Sequence, residues 1–159
     1  MRMRSSFLTA AALGALMTAP LPLAAGGPFS DLAGSWRGQG RVHLEGGHSE
    51  ALSCKAYYTS RDDGAGLGIA LSCASQSNKI DLRAAIASSA GRISGTWEER
   101  AFNSNGSIDG LIDAERIELK IDGTVQATMS ITLEGKSQLV SIASDGKGFT
   151  AVDLELERI

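Results

Sequence analysis

The chain predicts an all-β fold, an antiparallel up-and-down meander of about eight to ten strands closed into a barrel, with a β-sandwich as the alternative. Three observations carry this expectation. From Trp36 onward, short runs alternate apolar and polar residues at period two, and clusters of Gly, Asn, Asp or Ser separate them. Two neighbouring runs hold the only cysteines, Cys54 and Cys73. The apolar parity also continues from one run into the next, so a single face of the sheet stays apolar along the chain.

The stretch from Leu52 to Ser75 reads as a hairpin around Asp62-Asp63-Gly64-Ala65. A turn centred between Asp63 and Gly64 places Cys54 opposite Cys73, Ala56 opposite Leu71 and Tyr58 opposite Ile69. With Arg61 and Gly66 closing a four-residue loop, the cysteines form a non-hydrogen-bonded pair, where side chains approach closely enough for a disulfide. Leu52, Cys54, Ala56 and Tyr58 then share one face with Leu67, Ile69, Leu71 and Cys73.

Ahead of the strands, Met1-Arg2-Met3-Arg4 is basic, Phe7 to Ala19 is apolar, and Pro20 to Ala25 supplies a breaker and small residues. This is the pattern of a secretory signal peptide over residues 1–25, cleaved after Ala25 and too short to span a bilayer. Export places the protein in the periplasm or outside the cell, where two cysteines are expected to be joined. Residues 26–33 read as a linker with one helical turn capped by Ser30, and residues 34–159 as a single domain with no stable membrane insertion.

Trp36 to Leu44 is the first strand, Glu50 to Ser60 the second and Leu67 to Gln76 the third. A turn at Ser77-Asn78 pairs Cys73 with Leu82, Leu71 with Ala84 and Ile69 with Ile86. The fifth strand, Ile93 to Ala101, points Ile93, Gly95, Trp97 and Glu99 inward, with a bulge expected near Phe102. Asn103 to Gly106 reads as a turn. Ile108 to Ile112, Ile117 to Ile121 and Val125 to Leu133 follow, and the shared parity of the last two requires a three-residue loop or a bulge between them. Val140 and Ile142, then Val152, Leu154 and Leu156, complete the inward face. Small inward residues such as Ala56, Ala84, Gly95, Gly110 and Ala127 allow a cavity, against a barrel packed solid by Leu and Ile.

Charge excludes one class of partner. The 15 basic and 18 acidic side chains are scattered, giving a net charge of -3 and no basic patch with interleaved aromatics, so nucleic acid is not expected. His43 and His48 flank the Gly46-Gly47 turn without a third ligand at metal spacing, so neither metal nor cofactor is expected. Glu98 and Glu99 are adjacent on a strand and point to opposite faces, which rules them out as a glycosidase pair. No nucleophile and base converge, and the expectation is a protein that is not an enzyme.

Asp31-Leu32-Ala33-Gly34-Ser35-Trp36 places Gly-x-Trp at the entry to the first strand. This resembles the calycin superfamily, which includes lipocalins and the bacterial metalloprotease-inhibitor barrels. The resemblance implies that Trp36 plugs one barrel end with Arg158 over its ring. It points to an exported binding protein for a small apolar or amphipathic ligand, or for an envelope protein. On inward parity, Tyr58, Trp97 and Glu99 are the candidate ligand-binding residues. The alternative is a periplasmic protease inhibitor acting through a projecting segment, Gly26 to Ser30.

Overall fold

The computed structural model describes residues 26–159. The expected signal peptide, residues 1–25, lies outside the described residues. Ten strands run in sequence order: β1 (Gly34–Leu44), β2 (Ser49–Arg61), β3 (Gly66–Ala74), β4 (Lys79–Ser89), β5 (Arg92–Glu99), β6 (Ser104–Ile112), β7 (Arg116–Gly123), β8 (Ala127–Glu134), β9 (Ser137–Ser144) and β10 (Phe149–Arg158). Each pairs antiparallel with the next. The ring closes where β1 pairs with β10, from Trp36 opposite Arg158 to Val42 opposite Val152. A closed barrel has no open strand edge, and the sandwich alternative is set aside.

The β2–β3 hairpin has the register that the turn chemistry predicts. Arg61 faces Gly66 across Asp62–Ala65, and Cys54 faces Cys73 with the sulfurs bonded at 2.05 Å. Asp62 and Asp63 take left-handed backbone conformations, which aspartate tolerates better than most residues.

The β3–β4 pairing differs from expectation by two residues: Cys73 faces Ile80, Leu71 faces Leu82 and Ile69 faces Ala84. The turn is centred one residue earlier than Ser77-Asn78. Ser75 N–H donates to the Asn78 carbonyl at 2.9 Å, and the Glu50 carboxylate accepts from Ser77 N–H at 3.1 Å and Ser77 Oγ at 2.9 Å. A two-residue slip preserves the inward parity, so the hydrophobic pattern could not detect it.

Two further expectations are corrected at the far end of β5. No bulge forms at Phe102; it is exposed in a turn over Arg100–Asn103. Ser104 to Gly106, expected as that turn, instead opens β6 opposite Trp97–Glu99. Between β7 and β8 the loop is Thr124–Gln126, which keeps Ile117, Leu119 and Ile121 inward against Ile131, Met129 and Ala127.

The N-terminal segment is no free linker. Gly27 N–H donates to Asp63 O at 2.7 Å and Phe29 N–H to Gly64 O at 2.9 Å, which fastens residues 27–29 to the β2–β3 turn. A Cβ at Gly27 would lie 2.4 Å from the Gly64 carbonyl carbon, so the approach requires glycine. Phe29 is then fully buried. The turn at Ser30–Leu32 is 3₁₀, and Ser30 does not cap it; its hydroxyl donates back to the Gly27 carbonyl at 2.8 Å.

Above this plug, the Trp36 indole N–H donates to Leu32 O at 2.9 Å, and the Arg158 guanidinium lies 4.5 Å from the Trp36 ring centroid. The same guanidinium donates to the carbonyls of Ala33 and Asp31. One end of the barrel is thereby shut by the chain's own N-terminal segment and its penultimate residue.

The Cys54–Cys73 link closes a loop with a sequence separation of 19. The double variant Cys54→Ala/Cys73→Ala is expected to lose about 3 kcal/mol of stability, and about 10 °C in Tm, because cross-linking no longer restricts the unfolded chain. Thermal denaturation followed by circular dichroism checks this; an unchanged Tm contradicts it.

Candidate functional site

The inward face is packed unevenly. On β10, β1 and β2, Leu154, Leu156, Trp36, Leu52, Cys54, Ala56 and Tyr58 are buried. Gly38 and Gly40 make this packing possible: a Cβ at either would fall within 2.2 Å of a β10 carbonyl oxygen, so the wall folds tightly there. Other inward residues keep solvent access, Val42 on β1 and Val152 on β10 among them, although Leu67, Ile86, Ile117 and Leu119 on β3, β4 and β7 are buried. Ile69 and Leu71 on β3, Ile80 and Leu82 on β4, Ile121 on β7 and Met129 and Ile131 on β8 are only partly buried.

In a ring of ten, β3 and β8 lie on opposite sides, and these partly exposed apolar side chains point toward the barrel axis from both. The plug lies under the packed side, and the end formed by the β3–β4, β5–β6 and β7–β8 turns has no such cover. The candidate site is this inward face, apolar along its length and without a plug at that end.

The three expected site residues are not brought together. Tyr58, Ile69, Ala84 and Trp97 form one row across β2 to β5, which separates Tyr58 from Trp97 by three strand spacings, about 14 Å along the wall. Tyr58 packs against Trp36 with ring centroids 5.9 Å apart, and its hydroxyl donates to Gln138 Oε1 at 3.3 Å. Burial pushes its ionisation well above the ordinary phenol range, so it acts as a neutral donor. Trp97 lies nearer the open end, where its indole N–H donates to Asp122 O at 3.3 Å across Gly106.

Glu99 has a different role. Its carboxylate accepts from the backbone N–H groups of Asp81 at 2.8 Å, Ala101 at 3.0 Å and Phe102 at 2.7 Å, and so shapes the β5–β6 turn instead of facing the lumen unpaired. Burial works to raise its pKa, but the three amides together outweigh that and hold it below the usual carboxylate range.

Gln138 is the site residue the sequence reading passed over. It shares the inward parity of Val140 and Ile142 on β9, where a polar residue breaks the apolar series. It is 2% exposed and reaches across Leu156 and Gly38 to meet Tyr58 of β2.

Two open depressions lie on the outer surface. One, of about 370 Å³, surrounds the β1–β2 turn beside His43, His48 and Thr150, and the other, of about 390 Å³, crosses β8, β9, β10 and β1 beside Ser130, Leu139 and Asp153. His43 Nε2 is 3.7 Å from Asp153 Oδ2. Among the described residues, no three His, Cys, Asp or Glu side chains come together as a metal site, and no helix is long and apolar enough to cross a membrane.

No protein-family model matches the chain, and no curated protein matches it in sequence. Solved structures do match in fold. Rv2717c from M. tuberculosis superposes with a TM-score of 0.61 at 14% identity, covering 83% of this chain and 93% of that one. The S-type phycobiliprotein lyase CPES from Guillardia theta superposes with a TM-score of 0.55 at 15% identity, covering 82% and 89%. These likenesses are of fold and agree with the closed antiparallel barrel.

Removing the Glu99 carboxylate leaves three amides without their acceptor. Glu99→Ala is expected to lose about 2–3 kcal/mol at neutral pH. Because the folded pKa is depressed, the contribution is present above the ordinary carboxylate range and disappears as pH falls through the folded value. Tm measured between about pH 3 and pH 7 should therefore converge for the wild type and Glu99→Gln at the acid end. Parallel curves contradict this role.

Proposed function

We propose that the protein binds a small apolar or amphipathic molecule in its lumen, entering at the unplugged end, and that it works outside the cytoplasm without catalysing a reaction. The observation carrying this reading is the asymmetry of the interior. Ile69, Leu71, Ile80, Leu82, Ile121, Met129 and Ile131 point inward yet retain solvent exposure, while Phe29, Leu32 and Trp36 pack the other end. Exposed apolar surface inside a rigid wall gains free energy by transferring to a ligand, at roughly 25 cal/mol per Å².

The paired cysteines support an oxidising location. The likeness to a phycobiliprotein lyase is one of fold, so a lyase activity is not inferred from it. The inhibitor alternative requires a projecting arm at Gly26–Ser30, whereas Gly27 and Phe29 are fastened to Asp63 and Gly64 and Phe29 is buried. It is not pursued.

Titration with the solvatochromic dye Nile red tests the reading. Saturable binding with a blue-shifted emission is expected for the wild type. Leu71→Trp, which fills lumen space, should weaken it at least tenfold, while Leu139→Ala on the outer wall should leave it unchanged. Equal affinity in the Leu71 variant, or loss in the Leu139 variant alone, places the dye on the outside and contradicts lumen binding.

A further inference from the structure

Gln138 and Glu99 are the two buried polar or charged side chains on the inward face besides Tyr58. Glu99 has a full set of partners. Gln138 does not: its Oε1 accepts from Tyr58, and its Nε2 is buried with no hydrogen-bond partner. A buried amide N–H₂ left unpaired costs about as much as several ordinary hydrogen bonds contribute, so an inward glutamine here calls for a function. Leucine at the same place would fill the volume without that cost.

The surroundings define what the missing partner must be. An amide N–H₂ is a donor only, so the partner is an acceptor. Leu133, which faces Gln138 on β8, and Ile131 beyond it are only partly buried, so inward apolar side chains with residual solvent access adjoin the amide near the plugged end. Among the inward-facing strand positions the one basic side chain is Arg158, and its guanidinium is taken up by the Trp36 ring and the carbonyls of Ala33 and Asp31. An anionic group would be buried there without a counter-charge, which is strongly unfavourable.

We propose that Gln138 and Tyr58 form a polar subsite on the lumen wall that holds a neutral oxygen of the ligand, a hydroxyl or a carbonyl, through the free Nε2–H of Gln138. Tyr58 orients the amide by donating to Oε1, so the N–H₂ edge points away from it. The ligand is thereby assigned a class: an apolar body with an uncharged oxygen group set deep in the barrel. This rests on lumen binding as the protein's function.

Three probes of matched size separate the two ideas: octanol, methyl hexyl ketone and octane, titrated into wild type and Gln138→Leu and followed by tryptophan fluorescence. Taking the ratio of variant to wild-type Kd for each probe cancels its own hydration. The expected ratio is about ten for the alcohol and the ketone and about one for octane. Tm should be unchanged or higher in the variant, since an unpaired amide has been replaced by an apolar group. Tyr58→Phe keeps the ring against Trp36 and should show the same selective loss.

Ratios near one for all three probes overturn the subsite and leave lumen binding standing, as when an enclosed water alone meets the amide. A fall in Tm with equal weakening of all three makes Gln138 a structural residue and also overturns it. If the wild type binds none of the three, lumen binding itself fails.

Discussion

The pairing of β1 with β10 is the constraint on which the rest of the molecule depends. A ten-stranded meander left open would expose the amides and carbonyls of its first and last strands, and the inward parity of each strand would lack an opposite wall. Closure is permitted by Gly38 and Gly40, whose missing side chains let the β10 carbonyls approach to where they would clash with a Cβ. It is locked at its end by Trp36 opposite Arg158, with the arginine held over the ring and tied to the carbonyls of Ala33 and Asp31. The two chain ends of the domain therefore secure each other.

That lock has a consequence for the interior. Phe29, Leu32 and Trp36 fill the space beneath β1 and β2, and the disulfide ties β2 to β3. The packed half is therefore rigidly cross-braced. On the β3–β4 and β7–β8 walls Leu67, Ile86, Ile117 and Leu119 are buried, but Ile69, Leu71, Ile80, Leu82, Ile121, Met129 and Ile131 remain in contact with solvent. The packed positions provide the stability, and under the proposed function the less filled ones receive the ligand. Such a division lets a small domain keep apolar surface exposed, since that surface is recessed within a closed sheet and is screened from other chains.

The fold was largely legible because a barrel strand shows a period of two and its inward face is uniform. Asp62 to Ala65 also carried enough turn chemistry to set the Cys54–Cys73 register outright. The β3–β4 register was not legible: Ser75 to Asn78 offers several turn residues, and a slip by two leaves Ile80, Leu82 and Ile86 inward in either case. Glu99 and the Arg100–Asn103 turn were hidden for another reason. A carboxylate that collects three backbone amides is defined by loop conformation, which local composition does not reveal. Phe29 looked like linker because its burial depends on a contact with Gly64, far along the chain. Gln138 could have been found from sequence, as the lone amide in an apolar parity series.

The central claim is that a space remains inside the closed sheet between the β3–β4 and β7–β8 walls. A crystal of the protein pressurised with xenon tests it most directly, because xenon occupies apolar cavities without requiring a known ligand. The expected result is xenon density among Ile69, Leu71, Met129 and Ile131. An interior that admits no xenon, with those four side chains in contact with one another across the barrel, would contradict it.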